Sequence, residues 1–274
     1  MSATITAADI NKLRQTTGAG MMDCRKALTE TNGDFEAAID WLRKQGQKVA
    51  AKRSDREAKE GVVIAQTTAD NATGIVICIS CETDFVAKNA DFVAFVQSIA
   101  DAAISSGVNS GDELSQVEIN GTKIADLIND KLAAIGEKIA LTRFERVNAP
   151  FVSSYIHGAN RMGVLVGMSS AAADAGKDVA MQIAAMNPLA VDESSISPET
   201  IAREKEIAIE QIKAEGKPAE MAEKIAMGKV NKFFKENTLM AQPFVKDNSK
   251  SVGDYLKSVD ASLTVTEFKR VALG

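Results

Sequence analysis

The sequence predicts an α+β protein: an N-terminal module of three helices, a core in which one unit of antiparallel sheet plus helices is used twice, and an antiparallel two-helix hairpin inserted into the second copy. Three observations lead there. Helix periodicity and helix stops fill residues 1–46, whereas strand-like apolar runs begin only at residue 62. Two short stretches recur: Gly74-Ile-Val-Ile-Cys-Ile-Ser80 is echoed 89 residues later by Gly163-Val-Leu-Val-Gly-Met-Ser169, and Leu141-Thr-Arg-Phe-Glu-Arg-Val147 is echoed 124 residues later by Val265-Thr-Glu-Phe-Lys-Arg-Val271. The two offsets differ by 35 residues, so a second copy must carry an insertion of about that net length.

The first expected helix runs from about Thr6 to Thr17, with Ile10 and Leu13 inward and a stop at Gly18. The second covers Met21 to Thr31 and ends at Asn32-Gly33; the third starts at Asp34, carries Phe35, Ala38, Ile39 and Leu42 at i, i+3, i+4, i+7, and ends at Gly46. Residues 48–61 are charged and lack an apolar stripe, as in a solvated linker or helical extension. Strands follow at Val62–Thr67 and Gly74–Cys81, then a helix with Phe92, Phe95, Val96, Ile99 and Ala103 on one face. After a polar loop, Thr122 opens a helix that Gly136 closes, and 138–147 is a strand. In the second copy, Val179, Ile183 and Met186 share a helix face. Ser197-Pro198-Glu199 starts the inserted hairpin, Gly216-Lys217-Pro218 turns it, and Ile201, Ala208 and Ile212 can face Met221 and Ile225. The hairpin is either passive decoration or a surface for dimerisation or partner contact. The boundaries are 1–50 for the N-terminal module, 51–61 for the linker, 62–148 for the first core unit, 149–196 with 238–274 for the second, and 197–237 for the hairpin.

A chain of 274 residues with 45% hydrophobic content can bury ordinary cores in two or three domains. Its net charge of -5 argues against a binder of phosphate backbones. No apolar stretch approaches the ~20 residues of a membrane span, and the N-terminus lacks a charged start followed by an apolar run. Cytoplasmic localisation is expected. Cys24, Cys78 and Cys81 are the only cysteines, and residues 78 and 81 point to opposite faces of their strand, so they cannot chelate one ion together. His157 is the lone histidine, more often a structural or surface residue than a general base. No phosphate-binding glycine loop, G-x-S-x-G or H-E-x-x-H occurs. The expectation is a protein without enzymatic chemistry or cofactor.

Cys81-Glu-Thr-Asp-Phe-Val-Ala-Lys-Asn-Ala-Asp-Phe92 is the stretch most suited to function. Thr83 and Asp84 start a helical turn, and Asn89 and Asp91 start another. Phe85 lies seven residues before Phe92, which admits two readings: it joins the core face of one long helix, or it is an exposed apolar wedge beside a carboxylate. Between the first two helices, Gly18-Ala-Gly-Met-Met22 presents two adjacent methionines that cannot both face one core; either one is an exposed thioether contact or both are half-buried.

Leu13-Arg-Gln-Thr-Thr-Gly-Ala-Gly-Met-Met-Asp-Cys-Arg-Lys-Ala-Leu28 with Asn32-Gly-Asp34 resembles the N-terminal signature of the bacterial translation elongation factor Ts family. Cys81-Glu-Thr-Asp-Phe-Val-Ala-Lys88 is similar to its second signature, and His157-Gly-Ala-Asn-Arg-Met-Gly-Val-Leu-Val166, Gly216-Lys-Pro218 and Gln242-Pro-Phe-Val245 resemble later blocks. The likeness implies a guanine nucleotide exchange factor that binds elongation factor Tu in its GDP-bound form. It also implies a ubiquitin-associated-like N-terminal module and a coiled-coil hairpin. By the same likeness Thr83, Asp84, Phe85 and Val86 would disturb the partner's magnesium and phosphate site. Arg14, Met21, Met22 and His157 would dock. No membrane, nucleic acid or direct nucleotide contact is expected, and a homodimer is compatible with the hairpin. The competing reading is a protein- or RNA-binding adaptor of the translation machinery. Ser80 stands where the family commonly has Asn, and the chain ends at Gly274 where some members continue into a further helix.

Overall fold

The structure, a computed structural model, describes residues 5–53, 55–214 and 219–274. Helices α1 (Ala7–Thr17), α2 (Met21–Glu30) and α3 (Phe35–Lys52) open the chain. Thr6 and Asp9 cap α1 reciprocally, and Gly18 closes it at φ 68°. Leu13, Cys24, Ala27, Leu28, Ala38 and Leu42 form their common core. The stop expected at Gly46 is a correction: α3 continues six residues further, to Lys52. Gly46 serves close approach instead, since a Cβ there would come within 2.7 Å of Ala133 Cβ on the helix it packs against.

The first core unit runs β1 (Glu60–Thr67), β2 (Thr73–Cys81), α4 (Asp84–Ala87), α5 (Ala90–Ser106), α6 (Gly111–Gln116), β3 (Glu118–Ile119), β4 (Thr122–Lys123), α7 (Ile124–Ile135) and β5 (Ala140–Asn148). The second runs β6 (Phe151–His157), β7 (Met162–Met168), α8 (Ala173–Met186), α9 (Pro198–Ala214), α10 (Ala219–Asn237), β8 (Pro243–Phe244), β9 (Asp247–Ser251), α11 (Val252–Val259) and β10 (Val265–Ala272). Both sheets are antiparallel with the hairpin's second strand central: β1-β2-β5 and β6-β7-β10. Alternation along β2 sends Ile75, Ile77, Ile79 and Cys81 toward Phe92, Val96, Ile99 and Leu132 of the covering helices, and Val76 and Cys78 toward the other sheet. In β7, Val164, Val166 and Met168 face helices while Leu165 meets the first sheet. The order of layers is therefore helix, sheet, sheet, helix.

Where the sheets meet, two glycines let them approach. A Cβ on Gly74 would lie 2.7 Å from Val152 and 2.9 Å from Leu165; one on Gly163 would lie 2.8 Å from Val76 and 2.9 Å from Val63. Shifted by the same 89 residues, 74 becomes 163, 76 becomes 165 and 63 becomes 152, so each half inserts its valine and β7 or β2 side chain over the other's glycine.

The stretch expected to be a polar loop after α5 holds α6 and the β3–β4 ribbon. Ser110 caps α6, Leu114 is fully buried, and Asn120 and Gly121 turn at φ 52° and 79°. The β8–β9 ribbon before α11 is its counterpart and was equally unforeseen. Met186 is 44% exposed rather than on the core face, because α8 ends beside it at Asn187, φ 45°. In the inserted hairpin Ile201 packs with Val230 and Phe234, and Ala208 and Ile212 with Ala226, which makes α9 and α10 antiparallel. The expected turn at 216–218 and the side chain of Met221 lie outside the described residues. Among the described residues no helix is long and apolar enough to cross a membrane.

Candidate functional site

At the end of β2 the chain leaves the sheet through Glu82 and Thr83 and makes one helical turn, α4, before α5. Thr83 is extended (φ -122°, ψ 152°) and caps α4, its hydroxyl accepting from the Val86 N–H at 3.5 Å. Asn89 is also extended and caps α5, accepting from the N–H groups of Asp91 and Phe92 at 2.9 and 3.1 Å. Two caps six residues apart break the run, so Phe85 does not continue the stripe of Phe92: it is 86% exposed, while Phe92 is buried. Val86 packs against the first unit's core. The turn is thus seated by Val86 and points Phe85 to solvent.

Asp84 pairs with Lys88 at 2.6 Å, and this contact holds its carboxyl below the usual range. The pair is exposed and one turn apart on the helix, so solvent screens it and it adds little to stability. Behind the turn Glu137, placed by the left-handed Gly136 that ends α7, accepts the backbone N–H groups of Glu82 and Thr83 on one oxygen at 3.2 and 3.0 Å. Its other oxygen accepts the Thr83 hydroxyl at 2.7 Å. Glu82 answers by accepting the Lys138 N–H at 2.6 Å and Arg53 at 2.7 Å, with Arg56 at 3.6 Å. The Lys138 amide, followed by Arg53 and Arg56, pulls the Glu82 carboxyl below its ordinary range. Cys81 beneath them is pushed up to about 12 by burial and then by Glu137, so it stays a thiol.

The other expected contact residues fall in two places. Arg14 is exposed in the last turn of α1, and Met21 and Met22 begin α2 at 53% and 72% exposed, so both methionines, not one, face solvent. The α1–α2 turn at Gly18 and Ala19 borders the same cleft of about 970 Å³ that Phe85 and Val86 line, so it and the exposed turn share one side of the molecule. His157 ends β6, with its Nδ1 3.0 Å from the Tyr155 hydroxyl, and does not line that cleft. The hairpin turn after it reaches toward the first unit: Asn160 accepts the Val63 N–H at 2.7 Å, and Arg161 pairs with Glu60 at 2.5 Å. Glu60, and more weakly Asp84, hold the Arg161 guanidinium above its ordinary value. Glu137 and Arg53 were missed from sequence because each is brought to the turn from a distant element. Among the described residues no group of three or more His, Cys, Asp or Glu could hold a metal. What the arrangement offers is a rigid apolar contact flanked by charge.

A family model described as Elongation factor TS matches residues 82–274. The chain is 52% identical over 275 residues to Elongation factor Ts of Flavobacterium psychrophilum and 50% identical over 275 residues to that of Christiangramia forsetii, in each case covering 99% of this chain and 100% of the relative. It is 49% identical over 274 residues to Elongation factor Ts of Amoebophilus asiaticus, covering 98% of this chain and 99% of that one.

Proposed function

The chain belongs to the elongation factor Ts family, and from that premise we infer that it binds elongation factor Tu and promotes release of GDP during translation elongation. We propose that Thr83, Asp84, Phe85 and Val86 are the acting element and that the GDP-bound form is the target. Exchange breaks no covalent bond. It needs only that factor and nucleotide each weaken the other's hold on the same protein, and linkage makes that weakening mutual. Phe85 would enter an apolar pocket of the partner and shift the backbone around its magnesium ion and phosphates. Asp84 would bring a negative charge to the same place. Like charges brought close together repel, and that repulsion is reduced to the extent that Lys88 stays paired with Asp84. Arg14, Met21, Met22 and His157 would supply docking contacts.

The observation that carries this reading is the exposure of Phe85, 86%, on a turn that Thr83 caps, that the Asn89 cap of α5 separates from the next helix, and that Val86 anchors. A large apolar side chain held in water by a rigid scaffold is a contact prepared for burial. The same reading takes 1–50 as a ubiquitin-associated-like docking module, 51–61 as linker, 62–148 and 149–196 with 238–274 as duplicated halves, and 197–237 as a coiled-coil hairpin, with the cytoplasm as the place of work. The reciprocal packing at Gly74 and Gly163 supports the duplication.

The test is release of fluorescent GDP from elongation factor Tu. Phe85→Ala should slow maximal release about thirtyfold or more, equivalent to the ~2 kcal/mol lost when a Phe is no longer buried, with the melting temperature unchanged. An unaltered release rate removes the role assigned to the turn.

A further inference from the structure

The exposed turn is held by a pair of carboxylates that cross over between two segments. Glu137, from the α7–β5 turn, takes both backbone N–H groups and the hydroxyl at residues 82 and 83. Glu82, from the β2–α4 junction, takes the backbone N–H of Lys138. Each side chain thus satisfies the other segment's main chain, and the two segments are fixed against each other at the point where β2 gives way to α4. The Glu82 carboxylate also receives Arg53 and Arg56, which follow α3, while the Lys138 ammonium donates to the Arg56 carbonyl at 2.9 Å. The stretch that leads out of the N-terminal helices is therefore tied to the root of the same turn.

We propose that Glu137 is a positioning residue for nucleotide exchange, holding Thr83 and through it the entry angle of Phe85, and that Glu82 joins this clamp to the segment after α3. The inference rests on the reading of Thr83–Val86 as the acting element. Three hydrogen bonds to a carboxylate fix Thr83 where its hydroxyl can cap α4; without them the β2–α4 junction is free to swing about Glu82, and Phe85 with it. A displacement of about 1 Å at an acting group costs up to about a hundredfold in rate. Such a loss belongs to the maximal rate, not to docking, because Arg14, Met21 and Met22 lie on other elements.

The variants Glu137→Ala, Glu137→Gln, Phe85→Ala and the double Glu137→Ala/Phe85→Ala, each full length with its melting curve recorded, are compared for release of fluorescent GDP from elongation factor Tu over a range of factor concentration. Glu137→Ala is expected to lower the maximal rate on the order of tenfold while the half-saturating concentration changes little. Glu137→Gln should restore most of it, since one amide oxygen can accept both N–H groups and the amide nitrogen can donate to the Thr83 hydroxyl. In the double variant, loss of the clamp should slow release by a smaller factor than it does in the parent, because Phe85, whose entry angle the clamp sets, is already gone. The same full factor there as in the parent, or a Glu137→Ala protein with the parent's maximal rate, overturns the clamp while leaving the role of Phe85 standing. If Phe85→Ala itself releases GDP at the parent's rate, both readings fall.

Discussion

Glu82 shows how one side chain fixes the root of the turn that carries Phe85 and how that hold depends on pH. Its side chain is 14% exposed, and the Lys138 amide, Arg53 and Arg56 all favour its ionised form. A carboxyl held below its ordinary 4.5 stabilises the fold fully above that pH, and the contribution disappears as pH falls through the lower, folded-state value. Glu82→Gln keeps an acceptor for Lys138 but loses the two arginine pairs. Its urea stability should therefore lie below the parent's at pH 7 and approach it as pH falls below 4.5 and through the lower, folded-state value; a gap of constant size from neutral into acid pH would mean the ionised form is not what matters. The exposure of Phe85 was half legible at this scale. Its seven-residue spacing from Phe92 imitates a single helix face, and only the caps Thr83 and Asn89, both visible as residue types, say that the face is interrupted. Glu137 was not legible at all, because nothing local in a sequence announces a carboxylate that will cap backbone 54 residues away.

Among elements, the strands and long helices were readable because their burial follows a period. Ile75, Ile77 and Ile79 point one way and Val76 and Cys78 the other. Short elements lack that signal: α6 offers one buried side chain, Leu114, and the β3–β4 and β8–β9 ribbons are held by main-chain pairing more than by pattern. Glycines divide in the same manner. Gly18 and Gly136 end helices in the left-handed conformation that a stop signal implies, but Gly46 sits inside α3 for the sake of Ala133. The sheet interface gives a quantitative case. At Gly163 an added Cβ would meet Val76 and Val63 at 2.8 and 2.9 Å and Ala65 at 3.1 Å, all stiff or short side chains that cannot rotate aside. Gly163→Ala should cost about 1–3 kcal/mol by overpacking. Gly228, within α10 with nothing within 4 Å of its would-be Cβ, gives the opposite sign: Gly228→Ala should stabilise by about 0.5–1 kcal/mol. Urea unfolding of the two variants checks both, and equal midpoints would show that the sheets part easily at this seam.

The molecule as a whole packs two three-stranded sheets against each other and carries the exposed Phe85 on the half that holds the first of them. The offset that places Gly163 on Gly74 places Asp174, already inside α8, on Phe85, so the second half passes from β7 through Ser169, Ser170 and a run of alanines into its helix without an apolar tip. The second half instead spends its extra residues on the hairpin. The base of that hairpin is stitched to the core: the Leu189 N–H donates to the Asn237 carbonyl, and the N–H groups of Leu239 and Met240 donate to the carbonyls of Ala190 and Val191, each at 2.9 Å. Ala190, Ile196, Val230 and Phe234 then bury together just beyond it. Further out, among the described residues, Ala208, Ile212 and Ala226 form a buried cluster separate from those of the sheets. Base and outer part should therefore be separable. Replacing residues 205–227 with a short glycine-rich turn shortens α9 by ten residues, about 15 Å of helix, and removes only that outer cluster. The shortened chain is expected to keep the parent's melting temperature and its maximal rate of GDP release, because the stitched base, the sheet seam and the Glu82–Glu137 clamp are untouched. A lowered melting temperature would show that the outer hairpin supports the core. A lowered rate at an unchanged melting temperature would give the hairpin a share in loosening the nucleotide, which the position of Phe85 on the other half does not require.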